Sequence, residues 1–347
     1  MDPMTHPIAL LTDPDLLDEV LRMAAAADCE LLRAPDVTSL RSQWHDAPLV
    51  LLDPAAVSAC LDANFPRRSG VFVVHGGDPP WAPAVALGAD GVLELPLDGR
   101  ILVSALTDVR EGPPSDRGRV VSFVGGRGGS GASILAIACG REAVAQGGEA
   151  MLVDCDPLGG GIDLALGTES VEGARWPGVH CTGGRVPMSA LRAALPVSGS
   201  LSVLACDRTA PDPEPAAVAA VLDAGRRSGC TVICDLPRHP TSAASAALDR
   251  TDLTVLVVPA EVRATAAATR VASRLLTQAR NLRLVVRGPS PGNLQAPEMA
   301  EVIGIPLLTQ MRPEPGLPET LERGRFPRNA KGPLAAAARQ VLKELRP

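Results

Sequence analysis

The sequence predicts two doubly wound α/β domains in series. Three observations carry this. Through the first hundred or so residues, short apolar runs alternate with helical stretches, as a parallel sheet with helical crossovers requires. A proline- and glycine-rich polar stretch, Glu111 to Gly118, then breaks the pattern as a linker. Beyond it, Arg119 to Asp163 reads RVVSFVGGRGGSGASILAIACGREAVAQGGEAMLVDCDPLGGGID: strand, glycine-rich loop, helix, strand, acid. The expected domains are 1–110 and 119–347, joined by a linker at 111–118.

Composition narrows the class. At 347 residues the chain has room for two or three domains. Hydrophobic residues reach 46%, but aromatics only 2%, and tyrosine is absent. The cores must therefore be built from Ala, Val and Leu. A net charge of −6 argues against a broad nucleic-acid surface. Eight cysteines are scattered through apolar segments without a C-x-x-C pair, which suits buried thiols in a reducing cytoplasm. The N-terminus lacks the apolar core of a signal peptide. No apolar run approaches the roughly 18 residues of a membrane span.

In the first domain the expected strands are Ile8–Leu11, Glu30–Leu32, Leu49–Leu52, Val71–Val74 and Gly91–Leu95. The expected helices are Pro14–Ala27, Asp36–Trp44, Pro54–Leu61, Ala82–Leu87 and Gly99–Val109. Five such βα units describe a flavodoxin-like domain. The segment LGADGVLELPLD is similar to the last strand and loop of response-regulator receivers. That resemblance would make Asp53 the phosphoacceptor, yet His75 replaces the expected Ser or Thr, and Leu95 stands before Pro96 where a receiver has lysine. A pseudo-receiver follows, with Asp53 starting a helix rather than accepting phosphate.

In the second domain Val120–Val124 is a buried-type strand, Gly125–Gly131 the loop, Ala132–Ala145 a helix and Ala150–Val153 the next strand. Loop glycines let backbone N–H groups converge on an anion, and the helix N-terminus adds partial positive charge. Two motifs overlap here. Gly126, Gly128 and Gly131 spell G-x-G-x-x-G, with Asp154 where a dinucleotide fold keeps its ribose acid. Gly126 to Ser133 also fits G-x-x-x-x-G-K-[ST], with Ala132 in the lysine position. A tight turn without a ligand is the third reading. Further on, helix Ser189–Leu195, strand Leu201–Cys206, helix Pro215–Arg227, strand Thr231–Pro237 carrying Asp235, strand Leu253–Pro259, helix Glu261–Arg280 and strand Leu282–Val286 complete most of an α/β sheet. Ile305–Leu308 reads as the closing strand and Pro333–Leu345 as the last helix. Trp176, beside Arg175, fits either an interface anchor or a cap on the core.

The pieces GGRGGSGAS, VDCDPLGGGID and the Asp235 strand resemble the MinD/ParA group of deviant-Walker ATPases, especially its CpaE/TadZ-like branch, which includes actinobacterial septum site-determining homologues. The resemblance implies a P-loop NTPase domain with a mostly parallel sheet. ATP would lie on Gly126, Gly128, Gly129, Ser130, Gly131, Ala132 and Ser133, and Mg²⁺ on Ser133, Asp154 and Asp235. Asp154 and Asp156 would orient metal and water. Arg127 would stand for the lysine that relatives pass across a dimer, and Arg287-Gly288 falls where they place an adenine-reading Asn. No lysine precedes Lys331, so none can take the place of the missing loop lysine, and hydrolysis is expected to be weak or lost. The implied role is a homodimeric spatial regulator of septum placement or pilus/secretion assembly. It would act in the cytoplasm, or peripherally at the inner membrane face, through protein partners. A nucleotide-independent scaffold and a dinucleotide-binding protein are the alternatives. From Met311 onward eight Lys/Arg face four acids, a surplus read as solvated arginines rather than as a lipid or DNA patch.

Overall fold

Alternation of side chains across a strand explains why the first unit has a core on each face of its sheet. The computed structural model describes residues 6–111, 118–179, 181, 185–209, 211–327 and 331–346. They fall into two compact units, Met1–Pro113 with Thr182–Pro187, and Pro114–Cys181 with Met188–Pro347. Most of the expected linker lies outside the described residues.

The first unit runs β1 (Ile8–Leu10), α1 (Pro14–Ala26), β2 (Leu32–Arg33), α2 (Val37–Gln43), β3 (Val50–Leu52), α3 (Pro54–Asp62), β4 (Val71–His75), α4 (Trp81–Leu87), β5 (Gly91–Glu94), α5 (Gly99–Glu111). Its sheet is parallel, in the order β2-β1-β3-β4-β5. Ile8, Leu10, Val50 and Leu52 enter one core, while Ala9, Leu11, Leu49 and Leu51 enter the other. Helices cover both faces, so the strands read as unbroken apolar runs. Asp13 and Asp53 are the N-caps of α1 and α3, each followed by a proline in the first turn.

The second unit continues β6 (Arg119–Gly125), α6 (Ala132–Ala145), β7 (Ala150–Asp154), α7 (Ile162–Leu166), α8 (Met188–Ala194), β8 (Val197–Ser198), β9 (Leu201–Leu204), α9 (Pro215–Arg227), β10 (Thr231–Leu236), α10 (Ser242–Leu248), β11 (Leu253–Pro259), α11 (Val262–Leu275), β12 (Leu282–Arg287), α12 (Ala296–Ile303), β13 (Leu307–Met311), α13 (Leu317–Leu321) and α14 (Pro333–Leu345). The eight-stranded sheet has the order β13-β12-β11-β6-β10-β7-β9-β8, parallel except for the short β8–β9 pair. The chain leaves β6 through α6 toward β7 and later returns to β11 on the other side. That reversal opens a crevice at the carboxyl ends of the strands, the usual ligand position in such sheets.

Several boundaries differ from the sequence reading. The closing strand is Leu307–Met311 rather than Ile305–Leu308, because Ile305 is buried in the turn that follows α12. Helix α11 stops at Leu275. Helices α10 and α12 were not expected: SAASAAL gives no apolar stripe, and its helix is announced only by the Thr241 cap on Ala244.

Helix α6 is apolar nearly all round because it lies between the sheet and α14. Leu334, Ala337, Ala338, Val341, Leu342 and Leu345 of α14 are buried in the same core as Leu135, Ala136 and Cys139 of α6. The apolar face of the last helix is therefore occupied. No helix among the described residues is long and apolar enough to cross a membrane. Leu342→Ala should cost about 2–5 kcal/mol, read as a lower urea midpoint; an unchanged midpoint would show that α14 does not contribute to this core.

Candidate nucleotide site

The loop between β6 and α6 is shaped by what its glycines leave out. Gly126 still donates to the Val257 carbonyl at 2.9 Å. A Cβ there would lie 2.8 Å from Val258 Cγ2 and 3.0 Å from Ala268 Cβ, so only glycine lets the loop press on β11 and α11. Gly131 caps α6 at φ 93°, a left-handed conformation that L side chains avoid. The turn points the first amides of α6, at Ala132 and Ser133, into the loop, where no intrahelical acceptor exists for them. Ser130 is buried inside the turn, while Gly128 and Gly129 have open space beside them. Backbone donors and helix dipole together can hold an anion.

The acidic side of the site follows from strand register. Parallel pairing of β7 with β10 sets Asp154 directly beside Asp235 at the carboxyl ends, and both are buried. Asp154 accepts from the Asp156 amide at 3.0 Å and from the Ile162 amide at 3.5 Å. Its carbonyl receives Trp176 Nε1 at 2.6 Å and the Cys206 thiol at 3.4 Å. Trp176 is thus buried and braces the strand end, settling its two sequence readings in favour of the core. Burial raises the Asp154 pKa to about 6, amides from Asp156 and Ile162 oppose the rise, and the charges of Asp156 and Asp163 add to it. Asp235 is pushed well above the ordinary carboxylate range by burial and by Asp154, with a hydrogen bond from Ser133 acting the other way.

Two buried carboxylates beside an exposed serine hydroxyl fit a hard divalent cation, which would relieve both desolvation and mutual repulsion. Mg²⁺ takes one or two carboxylates and fills its remaining positions with water and phosphate oxygens. Asp156 lies at the edge, half-buried, its side chain accepting from the Leu158 amide at 3.2 Å. The dinucleotide reading fares worse, since it needs Asp154 facing outward to a ribose, whereas the side chain is buried and bonded to two amides.

Opposite the acids lie the cations. Arg127 bends back on its own subunit, pairing Nη2 with Glu261 Oε1 at 2.8 Å and donating Nη1 to the Gly128 carbonyl at 3.0 Å. Ala132 places only a buried methyl beneath the loop. Arg287, at the end of β12, extends its Cδ and Nη1 to 3.5 Å from where a Gly131 Cβ would stand. Glu261, Trp176 and Arg287 in this role were not anticipated from sequence. Each lies far along the chain from the loop, and only sheet order brings it there.

In the first unit Asp53 is buried and surrounded by donors. Its Oδ2 accepts from the Thr12 hydroxyl at 2.6 Å, the Asp13 amide at 3.0 Å and the Thr12 amide, and its Oδ1 from the Ala56 amide at 2.7 Å. Burial pushes its pKa up, but the bonds from Thr12, Ala56 and Asp13 outweigh it and hold the carboxyl below the usual value. His75 Nδ1 is 2.6 Å from the Gly77 carbonyl. Both carboxylate oxygens therefore serve the α3 cap and the β1–α1 turn.

Two expectations follow. After incubation with acetyl phosphate and Mg²⁺, intact mass should show no phosphoryl adduct; an adduct abolished by Asp53→Asn would contradict the capping role. For Asp154, a folded pKa of about 6 against an ordinary 3.8 means the folded state binds more protons in that window. Stability from this group therefore falls as pH rises from about 4 to above 6, by on the order of 3 kcal/mol. Asp154→Asn should become progressively more stable than the parent over that range in urea titrations without metal; parallel pH profiles would contradict the buried-charge account.

Comparison with known proteins agrees with the fold. Residues 10–117 match the model of the Rv3660c-like, CheY-like N-terminal domain. Over 339 residues the chain is 46% identical to protein Rv3660c of Mycobacterium tuberculosis H37Rv, and equally to MT3760 of strain CDC 1551, covering 96% of this chain and 96% of each relative. A ParA family ATPase from Chlorobium tepidum superposes with TM-score 0.58 at 18% identity, over 65% of this chain and 97% of its own. Aquifex aeolicus MinD gives 0.53 at 20% identity, over 66% and 99%. Pyrococcus horikoshii MinD complexed with Mg-ADP gives 0.50 at 18%, over 65% and 95%. At such identities the structures show the fold, a ParA/MinD-type P-loop domain after a CheY-like one. On the full-length match to Rv3660c, the chain belongs to the Rv3660c-like family.

Proposed function

We propose that the second unit binds Mg-ATP, hydrolyses it slowly or not at all, and uses the bound state to control self-association and partner docking. The observation that carries this reading is the meeting of Ser133, Asp154 and Asp235 at the foot of the glycine loop. The fold relatives include a MinD complexed with Mg-ADP and a MinC:MinD complex, which supports a nucleotide-linked protein that docks partners. In this reading Gly126, Gly128, Gly129, Ser130, Gly131, Ala132 and Ser133 cradle phosphates. Ser133, Asp154 and Asp235 hold the cation, which would polarise the phosphoryl oxygens, and Asp156 orients water. Leu158 is almost wholly exposed, at 94%, on the loop that carries Asp156, an apolar rim suited to a second copy closing over the site. The process served would be septum placement or pilus/secretion assembly in the cytoplasm or at the inner membrane face.

Slow chemistry follows from the residues. The loop places no lysine on the phosphoryl group, and Arg127 is paired with Glu261. Losing one preorganised charge of this kind slows turnover by roughly 10²–10³-fold. A second reading, a scaffold independent of nucleotide, is favoured by Ala132 and by the capping role of Asp53. Calorimetric titration of the full chain should show ATP binding that needs Mg²⁺ and is lost in Asp235→Asn, with turnover roughly 100-fold or more below a lysine-bearing relative. Sedimentation velocity should show association only with Mg-ATP. No binding, and no change in sedimentation, would leave the scaffold.

A further inference from the structure

We propose that Arg287 is the cation that grips the phosphate chain in this site, in place of the lysine that the loop lacks. The inference rests on the nucleotide reading above and names the group within it that recognises the ligand. Three observations support it. First, Arg287 lies against Gly131, with Cδ and Nη1 each 3.5 Å from where a Cβ would stand, ordinary van der Waals contact. This sets its guanidinium beside the N-terminus of α6, whose first amides have no intrahelical acceptor. Second, that guanidinium has no hydrogen bond or ion pair among the described residues. By contrast, Arg127 is engaged by Glu261 and by the Gly128 carbonyl.

Third, the acid whose charge acts on Arg287, Glu261, already pairs with Arg127. Burial and the charge of Arg127 both push the Arg287 pKa down, with Glu261 opposing. A half-buried arginine beside another arginine and a helix N-terminus is costly unless an anion joins them. A polyphosphate would supply that anion. The fork of donors on arginine suits two oxygens of one phosphate, or one from each of two neighbours. The same residue also stands where the fold relatives are expected to read the base, so recognition of the phosphate chain must be separated from recognition of adenine.

The test is calorimetric titration of the full chain with Mg-ATP, Mg-GTP and Mg-tripolyphosphate, using the parent, Arg287→Gln, Arg287→Lys and Arg127→Gln. Arg287→Gln should weaken ATP and tripolyphosphate alike by roughly 10–100-fold, with the ATP-to-GTP ratio unchanged. Arg287→Lys should retain most of the affinity, and Arg127→Gln should lose less than Arg287→Gln. Without ligand, Arg287→Gln should melt no lower than the parent, because no bond is broken. If that variant fails to fold, Arg287→Met carries the same test with the same outcomes. Equal affinity of parent and Arg287→Gln overturns the inference while leaving the nucleotide reading in place. A loss with ATP but not with tripolyphosphate overturns it in favour of base reading. A parent that binds neither ATP nor tripolyphosphate overturns the nucleotide reading and this inference together.

Discussion

The parallel register that seats Asp154 beside Asp235 is the constraint on which the second unit depends. Two carboxylates share the buried end of adjacent strands, and the charge of Asp154 raises the proton affinity of Asp235. Such a pair is unfavourable as structure alone, since replacing a buried charge with an apolar residue is often neutral or stabilising. The surroundings hold it in place. Trp176 and Cys206 bond the Asp154 carbonyl, the Asp156 and Ile162 amides bond its side chain, and the Ser133 side chain opposes the rise in the Asp235 pKa. Strain of this kind that is both buried and braced points to a cation or proton as the missing partner.

The two units treat their strand-end acids in opposite ways. Asp53 sits at the corresponding carboxyl edge of the first sheet, but donors from Thr12, Asp13 and Ala56 satisfy it completely. Its pKa is therefore held down, and its charge contributes to stability at neutral pH, an effect lost as pH falls below the ordinary carboxylate range. At Asp154 burial outweighs the two amide donors, and the charges of Asp156 and Asp163 add to it, so its pKa moves up. The same residue type at the same kind of position is a cap in one unit and a candidate ligand in the other. The difference lies in the donors within reach.

Much of this was legible in the sequence. Apolar runs located the strands, because both sheets are covered on both faces. Asp53, Asp154 and Asp235 declared themselves as acids ending such runs, and the glycine spacing marked the loop. The remainder depended on sheet order. Glu261 and Arg287 follow β11 and end β12, and only the order β12-β11-β6 brings them to the loop. Trp176 lay in a stretch without periodicity, and its indole bond to Asp154 has no local signal. The Ala- and Ser-rich α10 escaped because its burial comes from small side chains that make no apolar stripe.

The central claim is that residues from distant strands make the lysine-free loop a phosphate site. Amide hydrogen exchange on the full chain, with and without Mg-ATP, tests it most directly. The account predicts ligand-dependent protection at Gly126–Ser133 and at the ends of β7, β10 and β12, with little change in the first sheet. Exchange in the loop that is identical with and without saturating Mg-ATP would contradict it.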